Sequence, residues 1–170
     1  MVQIMKDDLI IFLDRDGVIN KKEEKYVKNI SEFEFLPKIF EAIKTINDLG
    51  FKIIIITNQS VINRKIISKI ELNKIHEYML KKFNEKSCQI SKIYYCPHKP
   101  DENCECRKPN TGMIIKAIKE FDINISNSIL VGDSDSDIEA AKRMNIKAIK
   151  LEANENLIEK IDNIKEIFFK

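Results

Sequence analysis

The sequence predicts an α/β fold in which a parallel β-sheet is covered by helices on both faces. Short runs rich in isoleucine and valine alternate along the chain with longer stretches whose apolar residues recur at helical spacing. The runs Leu9–Leu13 and Ile53–Ile56 are continuously apolar, as expected of strands that are buried on both faces. The chain has only four glycines and four prolines, so regular elements with few interruptions are expected.

The first half of the chain contains two strands and two helices in alternation. Leu9–Leu13 is a continuous apolar run and predicts the first strand. Pro37–Leu49 predicts a helix, because proline is favoured in a first helical turn and Gly50 stands just past the end. Lys52–Ile56 predicts the second strand, and the spaced apolar residues of Ser68–Phe83 predict the second helix.

The second half of the chain continues the same alternation. Ile90–Tyr95 predicts a strand, Gly112–Phe121 a helix and Ser128–Val131 a strand. A helix at Asp135–Met144, a strand at Ile146–Leu151 and a helix from Asn156 to about Phe168 complete the pattern. With 170 residues in all, residues 1–170 are expected to form a single domain.

Composition and charge narrow the classes of function. The net charge is only +2, so no strong field favours nucleic acid or an anionic membrane as a partner. The longest apolar runs are far too short to cross a bilayer. Residues Met1–Asp8 lack the apolar stretch of a secretory signal peptide, so a cytoplasmic location is expected.

Polar residues follow four of the predicted strands at the point where each strand ends. Because the carboxyl ends of parallel strands meet at one edge of the sheet, these side chains are expected to lie close together. In chain order they are Asp14 and Asp16, then Thr57 and Asn58, then Arg107 and Lys108 after a cysteine-rich loop, then Asp133, Asp135 and Asp137.

This set of side chains suits phosphoryl transfer. A carboxylate repels a phosphate dianion, and Mg²⁺ held by oxygens of Asp14 and Asp133 would offset that repulsion. The Thr57 hydroxyl and the Lys108 ammonium can hold phosphate oxygens. Asp14 can attack phosphorus to form an aspartyl-phosphate, and Asp16 can protonate the leaving oxygen and later deprotonate water.

Four motifs resemble those of the haloacid dehalogenase superfamily of phosphatases, in the same order and over nearly the whole chain. The resemblance implies a three-layer Rossmann-like fold, with Asp14 as nucleophile and Asp16 as acid/base. It also implies Mg²⁺ bound by Asp14, by the backbone carbonyl of Asp16 and by Asp133, with Asp137 as a supporting acid. The motifs are Asp14-Arg15-Asp16-Gly17-Val18-Ile19-Asn20, Thr57-Asn58-Gln59-Ser60, Arg107-Lys108-Pro109 and Gly132-Asp133 with Asp137.

Further segments resemble the D-glycero-D-manno-heptose 1,7-bisphosphate phosphatases, which remove the 7-phosphate. These segments are Tyr26-Val27, Phe33–Phe35 and Tyr94–His98. The resemblance implies a small sugar phosphate as substrate and a role in nucleotide-activated heptose synthesis for lipopolysaccharide or capsule. It places the loop Lys22–Tyr26 beside the sugar. Its substrate contacts fall on Thr57, Asn58, Gln59, Ser60, Arg107 and Lys108.

Two departures from that family keep other functions open. Val61 stands where the family usually has glycine, and a β-branched residue is strained if the position needs a positive φ. The cysteine loop is short and resembles that of histidinol-phosphate phosphatases equally well. These departures bear on the substrate rather than on the chemistry, so a histidinol-phosphate phosphatase is one alternative. A zinc-containing binding module without activity is a separate alternative from another class.

Three cysteines and a histidine in the loop after the third strand form a candidate zinc site. Cys96, His98, Cys104 and Cys106 suit a tetrahedral Zn²⁺ with no open position, which indicates a structural metal. Such a metal would fix the loop that carries Arg107 and Lys108. Disulfides or idle thiols are the alternative, and Cys88 lies outside the group.

The intervals between the motifs are short. Residues 16–57 hold one loop and one helix, and residues 57–108 hold a helix, a strand and the cysteine loop. Neither interval has room for an inserted cap domain, so an open site and a monomer are expected. His76, in the middle of a predicted helix, is interpreted as a surface or satisfied histidine rather than a catalyst.

Overall fold

A computed structural model describes residues 9–169, so the segment Met1–Asp8 that bears on a signal peptide lies outside the described part. Five strands form one sheet in which every neighbouring pair is parallel. The strands are β1 (Leu9–Leu13), β2 (Phe51–Asn58), β3 (Lys92–Cys96), β4 (Ser128–Gly132) and β5 (Lys147–Lys150). Their spatial order is β3-β2-β1-β4-β5, which places β1 at the centre.

Five helices cover the two faces of this sheet. They are α1 (Ile39–Asp48), α2 (Lys69–Glu85), α3 (Gly112–Phe121), α4 (Asp135–Arg143) and α5 (Ile161–Phe168). Apolar residues of α1, α2 and α5 pack in one core that contains Ile11, and those of α3 and α4 pack in a second core that contains Phe12. Adjacent β1 residues thus face opposite layers. The predicted three-layer Rossmann-like fold is confirmed.

Most element boundaries differ from the predicted ones by one or two residues, and the last helix begins at Ile161, after a 3-10 turn at Leu157–Lys160, rather than at Asn156. Two of the differences have a clear local cause. Helix α1 begins at Ile39 rather than Pro37, because Lys38 adopts a left-handed conformation with φ 59° and so cannot lie within a helix. Strand β2 continues two residues past Ile56, because Thr57 and Asn58 still pair with β3. The second difference matters, because it brings two polar residues into the rigid sheet.

Val61 is not strained. It is 1% exposed within the core beneath α1 and α2, and it is absent from the described residues that have a positive φ. The turn after β2 therefore accepts a β-branched residue, and the side chain contributes to the core instead of distorting the loop. The strain considered for this position does not occur.

The connections at the carboxyl edge of the sheet are short. Between β1 and α1 the only described element is a single 3-10 turn, Ile30–Glu32. Over residues 9–169 no cap domain is inserted, as predicted. In that same part of the chain, none of the helices combines the length and apolar character needed to cross a bilayer.

Candidate active site

A cavity of about 230 Å³ lies at the carboxyl edge of β1 and β2. Most of the side chains predicted to form the site line it. Ser60 is not among the lining residues; its hydroxyl accepts a hydrogen bond from Arg64 Nε at 3.2 Å. The predicted residues that do line the cavity are Asp14, Asp16, Thr57, Asn58, Gln59, Arg107 and Lys108, joined by Lys22, Tyr26 and Ser134.

Lys108 lies between two carboxylates at the floor of this cavity. Its Nζ is 3.0 Å from Asp14 Oδ1 and 2.5 Å from Asp137 Oδ1, and it donates a hydrogen bond to the carbonyl of Ile56 at 2.8 Å. The side chain is 2% exposed and that of Asp137 is fully buried. Two ion pairs and one hydrogen bond therefore fix the position of this ammonium.

The charges in this group depend on one another. Burial raises the pKa of Asp14 to about 7; Asp137 and Asp16 add to the rise, and Lys108 opposes it. Burial alone would lower the pKa of Lys108, but the two carboxylates raise it above its ordinary value, so it remains an ammonium. Further positive charge beside Asp14 would favour its ionised form, and the ionised form of a carboxyl group is the nucleophilic one.

Asn58 fixes the backbone of Lys108. Its side-chain Oδ1 accepts a hydrogen bond from Lys108 N at 3.0 Å, and its Nδ2 donates one to Lys108 O at 3.1 Å. Asn58 is itself the last residue of β2. Lys108 is therefore attached to the sheet by a pair of hydrogen bonds that does not involve the rest of the cysteine loop.

Asp16 is surrounded by donors. Arg15 Nη2 donates to both of its carboxylate oxygens, at 2.8 and 3.0 Å. Asn20 Nδ2 donates to Oδ1 at 2.9 Å, and Gln59 Nε2 donates to Oδ2 at 2.7 Å and to Thr57 Oγ1 at 2.9 Å. Burial would raise the pKa of Asp16, but Arg15 and these hydrogen bonds hold it below its ordinary value.

Arg15 is buried and lies between Asp16 and His76. It is 1% exposed, and its Nη1 is 3.0 Å from His76 Nε2. A guanidinium only donates, so Nε2 of His76 accepts and the imidazole is neutral. Burial lowers the pKa of His76 to about 3, and Arg15 adds to the effect. The interpretation of His76 as a satisfied histidine holds, although it is buried.

His76 should make the protein less stable in acid. Below about pH 6.5 the unfolded chain protonates this histidine but the folded protein does not, so stability falls as the pH falls towards 3. At about 1.4 kcal/mol per pH unit, His76 accounts for a loss of about 2 kcal/mol between pH 7 and pH 5. Urea unfolding of wild type and His76→Gln at both pH values measures this difference. His98 is common to both proteins, and equal losses would contradict the prediction.

The acids at the edge of the sheet fit a divalent cation. Carboxylate oxygens of Asp14, Asp133 and Asp137 lie within 4.8 Å of one another. Asp133 Oδ1 is buried and has no hydrogen-bond partner among the described residues, while Oδ2 is 2.6 Å from Lys22 Nζ. A Cβ on Gly17 would lie 2.4 Å from Asp133 Oδ2, so this position requires glycine. Oxygen ligands of this kind suit Mg²⁺.

The predicted zinc ligands also come together. Nδ1 of His98 and the sulfurs of Cys96, Cys104 and Cys106 lie within 4.8 Å of one another, a donor set that fits tetrahedral Zn²⁺. No disulfide links the cysteines of the described chain, and Cys88 is buried elsewhere. Arg107 is tied to this loop: its N donates to Cys104 Sγ at 3.3 Å and its Nη1 donates to His98 O at 3.1 Å.

Sequence reasoning did not find three of the contacts in the site. Arg15 was part of a motif, but nothing in the sequence indicated that it would be buried. His76 is 61 residues away on α2, and its side-chain direction depends on how that helix packs. Lys22 lines the cavity, and its contact with Asp133 is the third. The one sequence signal for the His76 contact is that position 76 falls on the apolar face of the predicted helix.

The chain is similar to known proteins over most of its length. The family described as polynucleotide kinase 3 phosphatase matches residues 9–157. A D-glycero-alpha-D-manno-heptose-1,7-bisphosphate 7-phosphatase of Campylobacter jejuni is 43% identical over 94% of this chain and 95% of its own length. A histidine biosynthesis bifunctional protein of Blochmanniella floridana is 32% identical over 85% of this chain and 41% of its own length.

A solved structure shows the same arrangement of elements. The D,D-heptose 1,7-bisphosphate phosphatase of B. bronchiseptica, complexed with magnesium and phosphate, superimposes with a TM-score of 0.82. It is 30% identical, and the match covers 92% of this chain and 86% of that one.

Proposed function

We propose a function from one premise: the chain belongs to the haloacid dehalogenase superfamily of phosphatases, among the heptose-bisphosphate 7-phosphatases. It is accordingly a phosphoric monoester hydrolase. Its proposed reaction is hydrolysis of the 7-phosphate of D-glycero-D-manno-heptose 1,7-bisphosphate. The observation that carries this proposal is that Asp14, Asp16, Thr57 and Lys108 line one cavity at the edge of the sheet.

Each side chain in the cavity has a proposed role. Asp16, which its donors keep ionised without substrate, takes up a proton as the negatively charged phosphate binds beside it and raises its pKa. Asp14 attacks the phosphorus, the sugar oxygen leaves with that proton, and an aspartyl-phosphate remains. Asp16, then a carboxylate, takes a proton from water, which attacks the aspartyl-phosphate and releases inorganic phosphate. Lys108 and the Thr57 hydroxyl hold phosphate oxygens as negative charge develops on them. Asn58 positions Lys108, and Gln59 positions Thr57 and Asp16.

The acids around Asp133 are proposed to hold Mg²⁺. Asp14 and Asp133 would provide carboxylate oxygens and Asp16 its backbone carbonyl, with Asp137 close to both carboxylates. The ion supplies positive charge that offsets repulsion between Asp14 and the phosphate. The buried Asp133 Oδ1, which has no partner in the described chain, supports this assignment.

Zn²⁺ is proposed to organise the part of the site that recognises the rest of the substrate. Arg107 hydrogen-bonds to two of the zinc-ligand residues, whereas Lys108 hydrogen-bonds to Asn58 on β2. Loss of zinc should therefore displace Arg107 and leave Lys108 in place. Substrate binding should suffer more than the chemical step.

Removing the metal ligand Cys104 tests this separation. Cys104→Ser is expected to lose zinc, to raise KM about tenfold and to lower kcat by less than about threefold. The effect is mainly on KM because Arg107 binds the rest of the substrate, whereas Lys108 acts on the reacting phosphate. Cys88→Ser is the matched control and should keep zinc content, KM and kcat. Metal analysis and steady-state kinetics provide the measurements; unchanged KM in a folded, zinc-free variant would contradict the positioning role.

The substrate proposal is tested by phosphate release from the α and β heptose bisphosphates and from histidinol phosphate. Higher kcat/KM for a heptose bisphosphate is expected, with one phosphate released per molecule. Comparable or higher kcat/KM for histidinol phosphate would overturn the proposal. That alternative is supported by the short cysteine loop and by the 32% identity to a histidine biosynthesis protein.

Three further expectations form part of the same proposal. Residues 1–170 are taken as one phosphatase domain, acting as a monomer in the cytoplasm. The product would enter synthesis of nucleotide-activated heptose for lipopolysaccharide or capsule. The short loops around the cavity and the absence of a cap over residues 9–169 support an enzyme that needs no second subunit to close its site. Sedimentation of the purified protein tests the monomer.

A further inference from the structure

We propose that His76 is a positioning residue that acts through Arg15 to hold the carboxylate of Asp16 in the cavity. This inference rests on the acid/base role proposed for Asp16. The three side chains form a continuous chain of contacts from the middle of α2 to the floor of the site. His76 itself does not line the cavity, so any effect it has on the reaction must pass through Arg15.

Arg15 needs partners because it is buried. A guanidinium removed from water is costly unless its hydrogens are paired, and Arg15 is 1% exposed. Its Nη2 is paired with Asp16 and its Nη1 with His76, while its Nε has no hydrogen-bond partner in the described chain. The Phe33 ring, whose centroid is 5.8 Å away, covers another side. The guanidinium is thus held by one acceptor at each of its two ends.

The orientation of Arg15 determines the position of Asp16. Both carboxylate oxygens of Asp16 accept from the same Nη2, so a rotation of the guanidinium would carry the carboxylate with it or break both bonds. His76 Nε2 resists that rotation from the opposite end, at 3.0 Å from Nη1. A catalytic acid must be within hydrogen-bond reach of the leaving oxygen, so small displacements lower the rate.

A plainer interpretation is that His76 only fills space in the core. It is 7% exposed and its ring packs against Tyr95 with centroids 5.9 Å apart. The two interpretations differ in what an isosteric change should do. An amide at position 76 can accept the bond from Arg15, whereas an aliphatic side chain of similar size cannot.

The test compares two phosphates that depend differently on a proton donor. The sugar oxygen of heptose bisphosphate needs a proton to leave, whereas p-nitrophenyl phosphate releases a stable phenolate without one. The comparison uses kcat/KM, which reports steps up to release of the alcohol and excludes hydrolysis of the aspartyl-phosphate. The variants are His76→Leu and His76→Gln, with Phe83→Leu, two turns further along α2 in the same core, as the matched control.

His76→Leu is expected to lose about 30-fold in kcat/KM with heptose bisphosphate but less than about threefold with p-nitrophenyl phosphate, because general-acid catalysis contributes 10²- to 10⁴-fold. His76→Gln should remain within about threefold of wild type with both. Phe83→Leu should lower thermal stability without separating the two phosphates. The inference would be overturned if His76→Leu lost nothing or lost equally with both phosphates. It would also be overturned if His76→Gln lost as much as His76→Leu, or if Phe83→Leu separated the two phosphates in the same way.

A second measurement does not depend on turnover. Nitrogen-15 NMR of wild type should show the His76 ring protonated at Nδ1 and unprotonated at Nε2. A ring protonated at Nε2 would overturn the inference regardless of substrate. If wild type hydrolyses p-nitrophenyl phosphate but not heptose bisphosphate, the substrate proposal fails. The comparison is then made with histidinol phosphate, which also has an alkyl leaving group.

Discussion

Replacement of Asp14 by asparagine is expected to lower the rate of phosphate release at least about 10⁴-fold while the protein stays folded and keeps the zinc proposed for its cysteine loop. An amide is a poor nucleophile and cannot form the acyl phosphate. Lys108 still has Asp137 and the Ile56 carbonyl as partners in this variant. Because Asp14 is buried and its pKa is raised to about 7, a neutral side chain of the same shape fits its surroundings.

The control for Asp14→Asn is Asp135→Asn. Asp135 is an exposed acid in the first turn of α4, where it pairs with Lys150, and it does not line the cavity. This variant should retain wild-type turnover. Phosphate release, zinc content and thermal unfolding of both variants are the measurements. Turnover of Asp14→Asn within about tenfold of wild type would rule out Asp14 as the nucleophile.

Replacement of Lys108 by methionine is expected to lower both turnover and stability. Turnover should fall about 10²- to 10³-fold, because an ammonium that faces the developing charge on phosphate is lost. The free energy of unfolding should fall by about 3 kcal/mol, because two buried carboxylates lose their common partner. Lys74→Met, at an exposed position on α2, is the control and should change neither quantity.

The double variant Lys108→Met with Asp137→Asn separates the two effects. Removal of the Asp137 charge should restore most of the lost stability, because only one buried carboxylate then remains beside the methionine. Turnover should stay low. Recovery of turnover along with stability would show that Lys108 supports the fold without acting on the phosphate. Urea unfolding and phosphate-release rates of the single and double variants give the answer.

The fold and the main chemical groups of the site followed from sequence because of the geometry of parallel sheets. The central strands β1, β2 and β4 contain recognisable apolar runs, and in such a sheet the residues at or just past their carboxyl ends must meet at one edge. That reasoning places Asp14, Thr57 and Asp133 together without any knowledge of side-chain packing. The candidate zinc site is equally local, since its four residues lie at the end of β3 and in the loop that follows it.

The supporting contacts did not follow from sequence, because they depend on side-chain directions between distant elements. The bond from Arg15 to His76 requires that α2 be rotated so that position 76 faces the sheet. The two hydrogen bonds between Asn58 and Lys108 require β2 to extend past its apolar run, where the pattern of apolar residues gives no sign of a strand. Periodicity reports which face is buried, but not which buried polar groups meet.

The attachment of Lys108 to Asn58 has a consequence for how such an enzyme can acquire new substrates. The side-chain amide of Asn58, the last residue of β2, holds the backbone of Lys108 by two hydrogen bonds. Residues 97–106 can therefore change in length, composition or even metal content while the lysine keeps its place. The preference for one substrate over another can then change while the residues that hydrolyse the phosphate stay the same. Transplanting this segment from a relative should transfer substrate preference and leave the rate of bond cleavage largely intact.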